Sequence, residues 1–116
     1  MTVAGFRKAA LSLPETAEGA HFGNADFRMG GKIFATLAHE KLGYGNLVLK
    51  PEQQAGLCAD APDVFLPVAG GWGRLGATHV RLSKVKKDVL AGLVQIAWRN
   101  KASKKILLLA DAGDLH

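Results

Sequence analysis

Apolar residues recur every three to four positions in Val3, Phe6, Ala10 and Leu13, with Thr2 placed to cap the start and Pro14 barring continuation, which predicts a short amphipathic helix. The period then changes to two. Ala25, Phe27 and Met29 alternate with Asp26 and Arg28, and Ile33, Ala35 and Leu37 alternate with Phe34 and Thr36, the pattern of two strands with one buried face each. Gly30-Gly31 between them marks a hairpin. A two-residue loop would set Met29 opposite Lys32 and mix the faces. A three-residue loop, Gly30 to Lys32, sets Met29 opposite Ile33 and Phe27 opposite Ala35, and is the expected register. It places Arg28 opposite Phe34 on the second face and Lys32 at the tip.

Further along, Gly43-Tyr44-Gly45 reads as a turn, and Leu47 and Leu49 continue the sheet until Pro51 opens a helix over about Glu52 to Cys58. Residues Asp60 to Gly76, with Pro62, Pro67 and Gly70-Gly71, read as a long ordered loop around Phe65 and Trp72, with Trp72 a plug on the sheet. Ala77 to Leu82 alternates again, with Thr78, Val80 and Leu82 on one face and His79 and Arg81 on the other. Val85, Val89, Leu90, Leu93, Val94, Ile96 and Ala97 follow helical spacing through Trp98, Asn100 is a plausible stop, and the tail from Ser103 adds a helical turn. With antiparallel connections and no regular βαβ alternation, the chain predicts a two-layer α+β sandwich, an antiparallel sheet with helices, forming a single domain over residues 1–116.

Composition narrows the function classes. No apolar run approaches the roughly 20 residues of a membrane span, and Arg7 and Lys8 interrupt the start before any signal-peptide core develops, so the expected setting is the cytoplasm, away from membranes. The single cysteine, Cys58, cannot form an intramolecular disulfide and is expected to be a buried structural thiol. The formal net charge of +5 is concentrated in one segment. Between Ser83 and Lys105 lie Lys84, Lys86, Lys87, Arg99, Lys101, Lys104 and Lys105 against one acid, Asp88, a pattern that suits either a polyanion partner or a solvated helix.

Candidate chemistry is sparse. Glu15, Glu18 and His21 could serve acid–base catalysis only by converging in a cleft; the plainer expectation is that the two glutamates flank a turn and His21 starts a strand. His39 and His79 lie elsewhere. No His-x3-His or Cys-x2-Cys spacing suggests a metal, and the run from Ala69 to Gly76 lacks the Gly-Lys-Ser/Thr ending of a phosphate loop. No enzyme, cofactor or metal site is therefore expected.

The stretch from Ala10 to Leu37, together with Leu49-Lys50-Pro51-Glu52-Gln53-Gln54-Ala55, Gly71-Trp72-Gly73, the Val80 strand and the helix closing near Trp98, resembles the MmcQ/YjbR family over nearly the whole chain. One departure is Ala102-Ser103, where the family's pattern has a proline. The resemblance implies an α-β(3)-α-β(2)-α-like order similar to type III secretion chaperones, and a "double wing" DNA-binding surface with Gly30-Gly31-Lys32 as one wing tip and His79-Arg81 near another. DNA contacts would then fall to phosphates, through Arg28 and Lys32 on the first hairpin, Arg74 and Arg81 near the second, and Lys84, Lys86 and Lys87 entering the last helix. The alternative is a protein-interaction or chaperone-like module using the exposed sheet face around Phe34. A third reading is a small-ligand binder using Glu18, His21 and Arg28.

Overall fold

The computed structural model describes residues 1–113. Helix α1 (Val3–Leu11) starts where Thr2 Oγ1 accepts the Gly5 amide at 2.9 Å, and it buries Phe6 and Ala10 as its spacing requires. Six strands follow: β1 (Thr16–His21), β2 (Asn24–Met29), β3 (Lys32–Thr36), β4 (Tyr44–Val48), β5 (Phe65–Pro67) and β6 (Ala77–Arg81). They form one antiparallel sheet in the order β1-β2-β3-β4-β6-β5. Helix α2 (Pro51–Asp60) sits between β4 and β5, α3 (Gly71–Arg74) between β5 and β6, and α4 (Lys87–Lys101) and α5 (Lys104–Asp111) close the chain. Ser103 caps α5 by accepting the Ile106 amide, so the tail carries a full eight-residue helix rather than one turn.

The strand directions give the sheet two ends. Gly30-Gly31, Val48 and Ala77 lie at one; the Phe22-Gly23 turn, Tyr44 and Arg81 lie at the other. Helix α4 begins at the Tyr44–Arg81 end and, at 15 residues, runs about 22 Å to finish beside Lys32. Its buried residues Leu90, Leu93, Val94, Ala97 and Trp98 meet Phe6, Phe27, Phe34, Leu47 and Val80 in one core between helices and sheet. The Trp98 indole donates to Pro14 O at 2.8 Å and so ties α4 to the end of α1. A Cβ on Gly45 would enter the Phe6 ring, so β4 turns Gly45 and Leu47 toward the helices. Tyr44, Asn46 and Val48 consequently face the opposite way, where no long helix covers the centre of the sheet among the described residues.

Several expectations are corrected. The hairpin loop has two residues, Gly30 (φ 58°) and Gly31 (φ 80°), so Met29 pairs with Lys32 and Arg28 with Ile33. A bulge at Phe34 then restores the predicted Phe27–Ala35 pair. The bulge lets consecutive residues Phe34 and Ala35 both enter the core, and Phe34 has no exposed surface. Phe34 therefore faces the core and is not part of the exposed sheet face. Residues Thr16 to His21 form a strand that His21 ends rather than starts, and four strands precede α2 instead of three. The segment from Asp60 to Gly76 is not one loop, because it contains β5 and α3. Gln54 holds that segment: its buried amide donates to Gly73 O at 3.0 Å and to Ala77 O at 2.8 Å.

Candidate functional site on the open sheet face

The uncovered face gathers side chains that are distant in sequence. Asn46 stands at its centre, fully buried, with every polar atom used. Its Nδ2 donates to Thr36 Oγ1 at 3.2 Å and to His39 Nδ1 at 2.6 Å, and its Oδ1 accepts from His79 Nδ1 at 2.8 Å. With the amide so oriented, the two imidazoles take opposite tautomers: His39 carries its proton on Nε2 and His79 on Nδ1. The pair then offers one ring donor and one ring acceptor, with ring centroids 4.7 Å apart. His79 also stacks on Tyr44 at 4.5 Å. Burial, reinforced by His39, pushes the His79 imidazole below its ordinary value and favours its neutral form. Neither histidine was grouped by sequence spacing; the available signal was the alternation Tyr44-x-Asn46 and His79-x-Arg81, which puts three of these residues and Arg81 on one face.

Beside this network the face opens into a groove of about 450 Å³ lined by residues that include Phe22, Asp26, Ile33, Thr36 and Trp72. Asp26, 2% exposed, is clasped by Arg28, whose Nε and Nη2 donate to the two carboxylate oxygens at 2.9 and 3.1 Å. The carboxylate holds the Arg28 proton more firmly than usual. Trp72 reaches the groove from α3 and keeps part of its surface exposed.

The seven cations expected at phosphates divide into groups. Arg81, Lys84, Lys86 and Lys87 lie at the Tyr44 end, where β6 leads into α4. Arg81 stacks over the Tyr44 ring at 5.1 Å and donates to Tyr44 Oη and Asp63 O, while Lys84 pairs with Asp63 at 3.7 Å. Lys86 and Lys87 are exposed and enter no ion pair among the described residues. Lys32 lies at the opposite end, sharing a small groove with Lys101 on the helical side, and Arg74 belongs to α3. Arg28 lies on the open face, held by Asp26. Thus four of the seven share one end and the other three do not join them. Glu18 faces the helices and pairs with Arg7 at 3.1 Å, so Glu18, His21 and Arg28 do not form a common site.

Other functional groups are few. No three His, Cys, Asp or Glu side chains converge as metal ligands among the described residues. Cys58 is half-buried, and burial raises its thiol above the ordinary range. No helix among the described residues is long and apolar enough to cross a membrane.

The YjbR family model matches residues 11–100, from the last residue of α1 through most of α4. The chain belongs to the YjbR family. Its fold is also that of the crystal structure of Deinococcus radiodurans protein DR2400, described by the domain DUF419, at a TM-score of 0.70 and 20% identity, covering 97% of this chain and 80% of that one. No curated protein matches the sequence. The Gly30-Gly31 turn and Arg81, near which the YjbR resemblance implied two wings, lie at opposite ends of the sheet.

Proposed function

We propose that this YjbR-family protein is a cytoplasmic, non-enzymatic DNA-binding protein that grips phosphates at the end of the molecule where α4 begins. The observation that carries this reading is the grouping of Arg81, Lys84, Lys86 and Lys87 at that end, joined by Lys8, which lines one groove with Lys87. Helix α1 begins at the same end, so the partial positive charges of two helix N-termini add to the lysines. Arg81 is already oriented by Tyr44, which reduces the freedom lost when it meets an anion. Lysines without a fixed geometry contact phosphate rather than base edges, so binding is weak in sequence preference and steep in salt.

A duplex titration at several salt concentrations tests the reading. Engagement of about five phosphates gives a log–log slope near −4 to −5. Replacing Lys84, Lys86 and Lys87 by Gln flattens that slope by about 2 to 3. No measurable binding at low salt, or an unchanged slope in the triple variant, overturns it.

A further inference from the structure

Beside its buried stripe, the first helical segment carries a second one. Thr2, Gly5, Ala9 and Ser12 recur every three to four residues, are all small, and share one groove with Lys87 and Ala91 of the adjacent α4. Small side chains on both helices leave an open channel of about 560 Å³, within the roughly 300–1,000 Å³ of small-molecule sites. Met1 and Leu13 stand at its two ends along α1, and the Met1 thioether lies over Gly5, where an added Cβ would meet Sδ at 2.6 Å.

The lining has little polar capacity to spare. Thr2 Oγ1 accepts the Gly5 amide and the Ser12 hydroxyl donates to Ala9 O, so both hydroxyls are engaged with the helix backbone. The charged groups of the lining are Lys8 and Lys87; both are exposed, neither enters an ion pair among the described residues, and no Asp or Glu lines the groove. Lys87 is also the first residue of α4, where the helix N-terminus adds partial positive charge.

We propose that this groove binds a single-chain amphiphile with an anionic head, of the fatty-acid class, its chain along the small-residue floor and its carboxylate at Lys8 and Lys87. The inference stands apart from the DNA reading, although the two share these lysines. Charge complementarity selects the head: two ammonium groups without a carboxylate partner suit an anion, and a neutral hydrocarbon would leave them unused. The apolar floor selects the body, because a sugar or a base brings polar edges for which it has no partner. The nine lining residues fall well short of the roughly 20–30 that a protein interface engages on each side.

Sodium decanoate, titrated below its micelle concentration without nucleic acid into protein with labelled alanine methyl groups, tests the site by NMR. The expected result is saturable shifts at Ala9 and Ala91, with affinity falling about two- to fourfold for each methylene removed from the chain. Decanol, which keeps the chain and lacks the charge, binds about fivefold more weakly. Lys8→Gln combined with Lys87→Gln lowers decanoate affinity to the level of decanol, and Arg at both positions retains it. Ala91→Leu, at an exposed helical position, fills the channel and abolishes binding while the remaining methyl spectrum stays folded. No shift below the micelle concentration, shifts at Ala25 and Ala38 of the Trp72 groove instead, or equal affinity for decanol and decanoate overturns the proposal. Binding to phosphatidylglycerol vesicles but not to decanoate also overturns it and reassigns the groove to a membrane surface. Shifts produced by an acidic amphipathic peptide and not by decanoate overturn it in favour of a protein partner. None of these outcomes bears on the duplex titration, which stands or falls by its own salt slope.

Discussion

Asn46 and His79, 33 positions apart, are joined through Asn46 Oδ1 and His79 Nδ1 at 2.8 Å, and this bond determines which nitrogen of His79 keeps a lone pair. The same amide donates to His39, so a single neutral side chain holds two imidazoles in complementary states. Protonating His39 at Nδ1 would set two donors against each other. Protonating His79 would place a partly buried cation beside His39, which its lowered pKa opposes.

The first prediction concerns pH. Because the folded pKa of His79 lies below its ordinary value of 6.5, the unfolded chain binds the proton more readily than the folded one. Its contribution to stability is complete above about pH 6.5 and declines as pH falls through the folded value. Urea unfolding of wild type and His79→Gln from pH 7.5 to pH 5 should show their stability difference shifting against the wild type as acid is added. An unchanged difference removes the linkage.

Replacing Asn46 by Asp should reverse that trend. A carboxylate accepts from the His79 ring and raises its pKa, so the His79 contribution is then present at low pH and lost as pH rises through the raised value. NMR titration of the His79 imidazole in wild type and Asn46→Asp checks it: the midpoint must move up in the variant.

The turn at Phe22 makes a separate prediction for stability. Relief of a left-handed bulky residue in Phe22→Asn should stabilise the fold by about 1 kcal/mol, a rise in Tm of roughly 4 °C. Calorimetry showing a fall in Tm would mean that the edge-to-face contact of Phe22 with His21, ring centroids 4.3 Å apart, outweighs the backbone strain.

Close packing of α1 on β4 depends on Gly45. A methyl group there enters the Phe6 ring, whose edge also meets Phe27 at a centroid distance of 6.2 Å. Gly45→Ala should therefore destabilise by about 1–3 kcal/mol, measurable as a lowered urea midpoint at unchanged slope. Gly56→Ala, at a helical site with nothing within 4 Å, should by contrast be neutral or stabilising by up to about 1 kcal/mol.

Periodicity carried much of the architecture. The stripes of α1 and α4, the alternation in β2 and β6, and the Gly30-Gly31 turn were all legible because each element buries one face and its apolar period shows it. Strand β1 was not legible. Its inner face carries Glu18, neutralised by Arg7 on α1, and its outer face carries Gly19 close against Asp26 and Arg28, so an edge strand held by backbone pairing left no apolar alternation to read. The Phe34 bulge was equally hidden, since a single inserted residue changes the face of its neighbours without changing composition.

By itself, the amino-acid order determined the main helical and strand periods, the position of the Gly30-Gly31 hairpin, the excess of positive charge near the last helix and the likeness to YjbR proteins; the turn expected at Gly43-Tyr44-Gly45 instead ends at Gly43, with Tyr44 and Gly45 in β4. Tertiary structure alone decided that Lys32 and Lys87 stand at opposite ends of α4, that Phe34 is core, and that His39, Asn46 and His79 share one hydrogen-bonded cluster. The reason is one of range. Burial periodicity is set by neighbours a few residues away, whereas the meeting of polar groups across a sheet depends on strand order and register, which are properties of the whole packed chain.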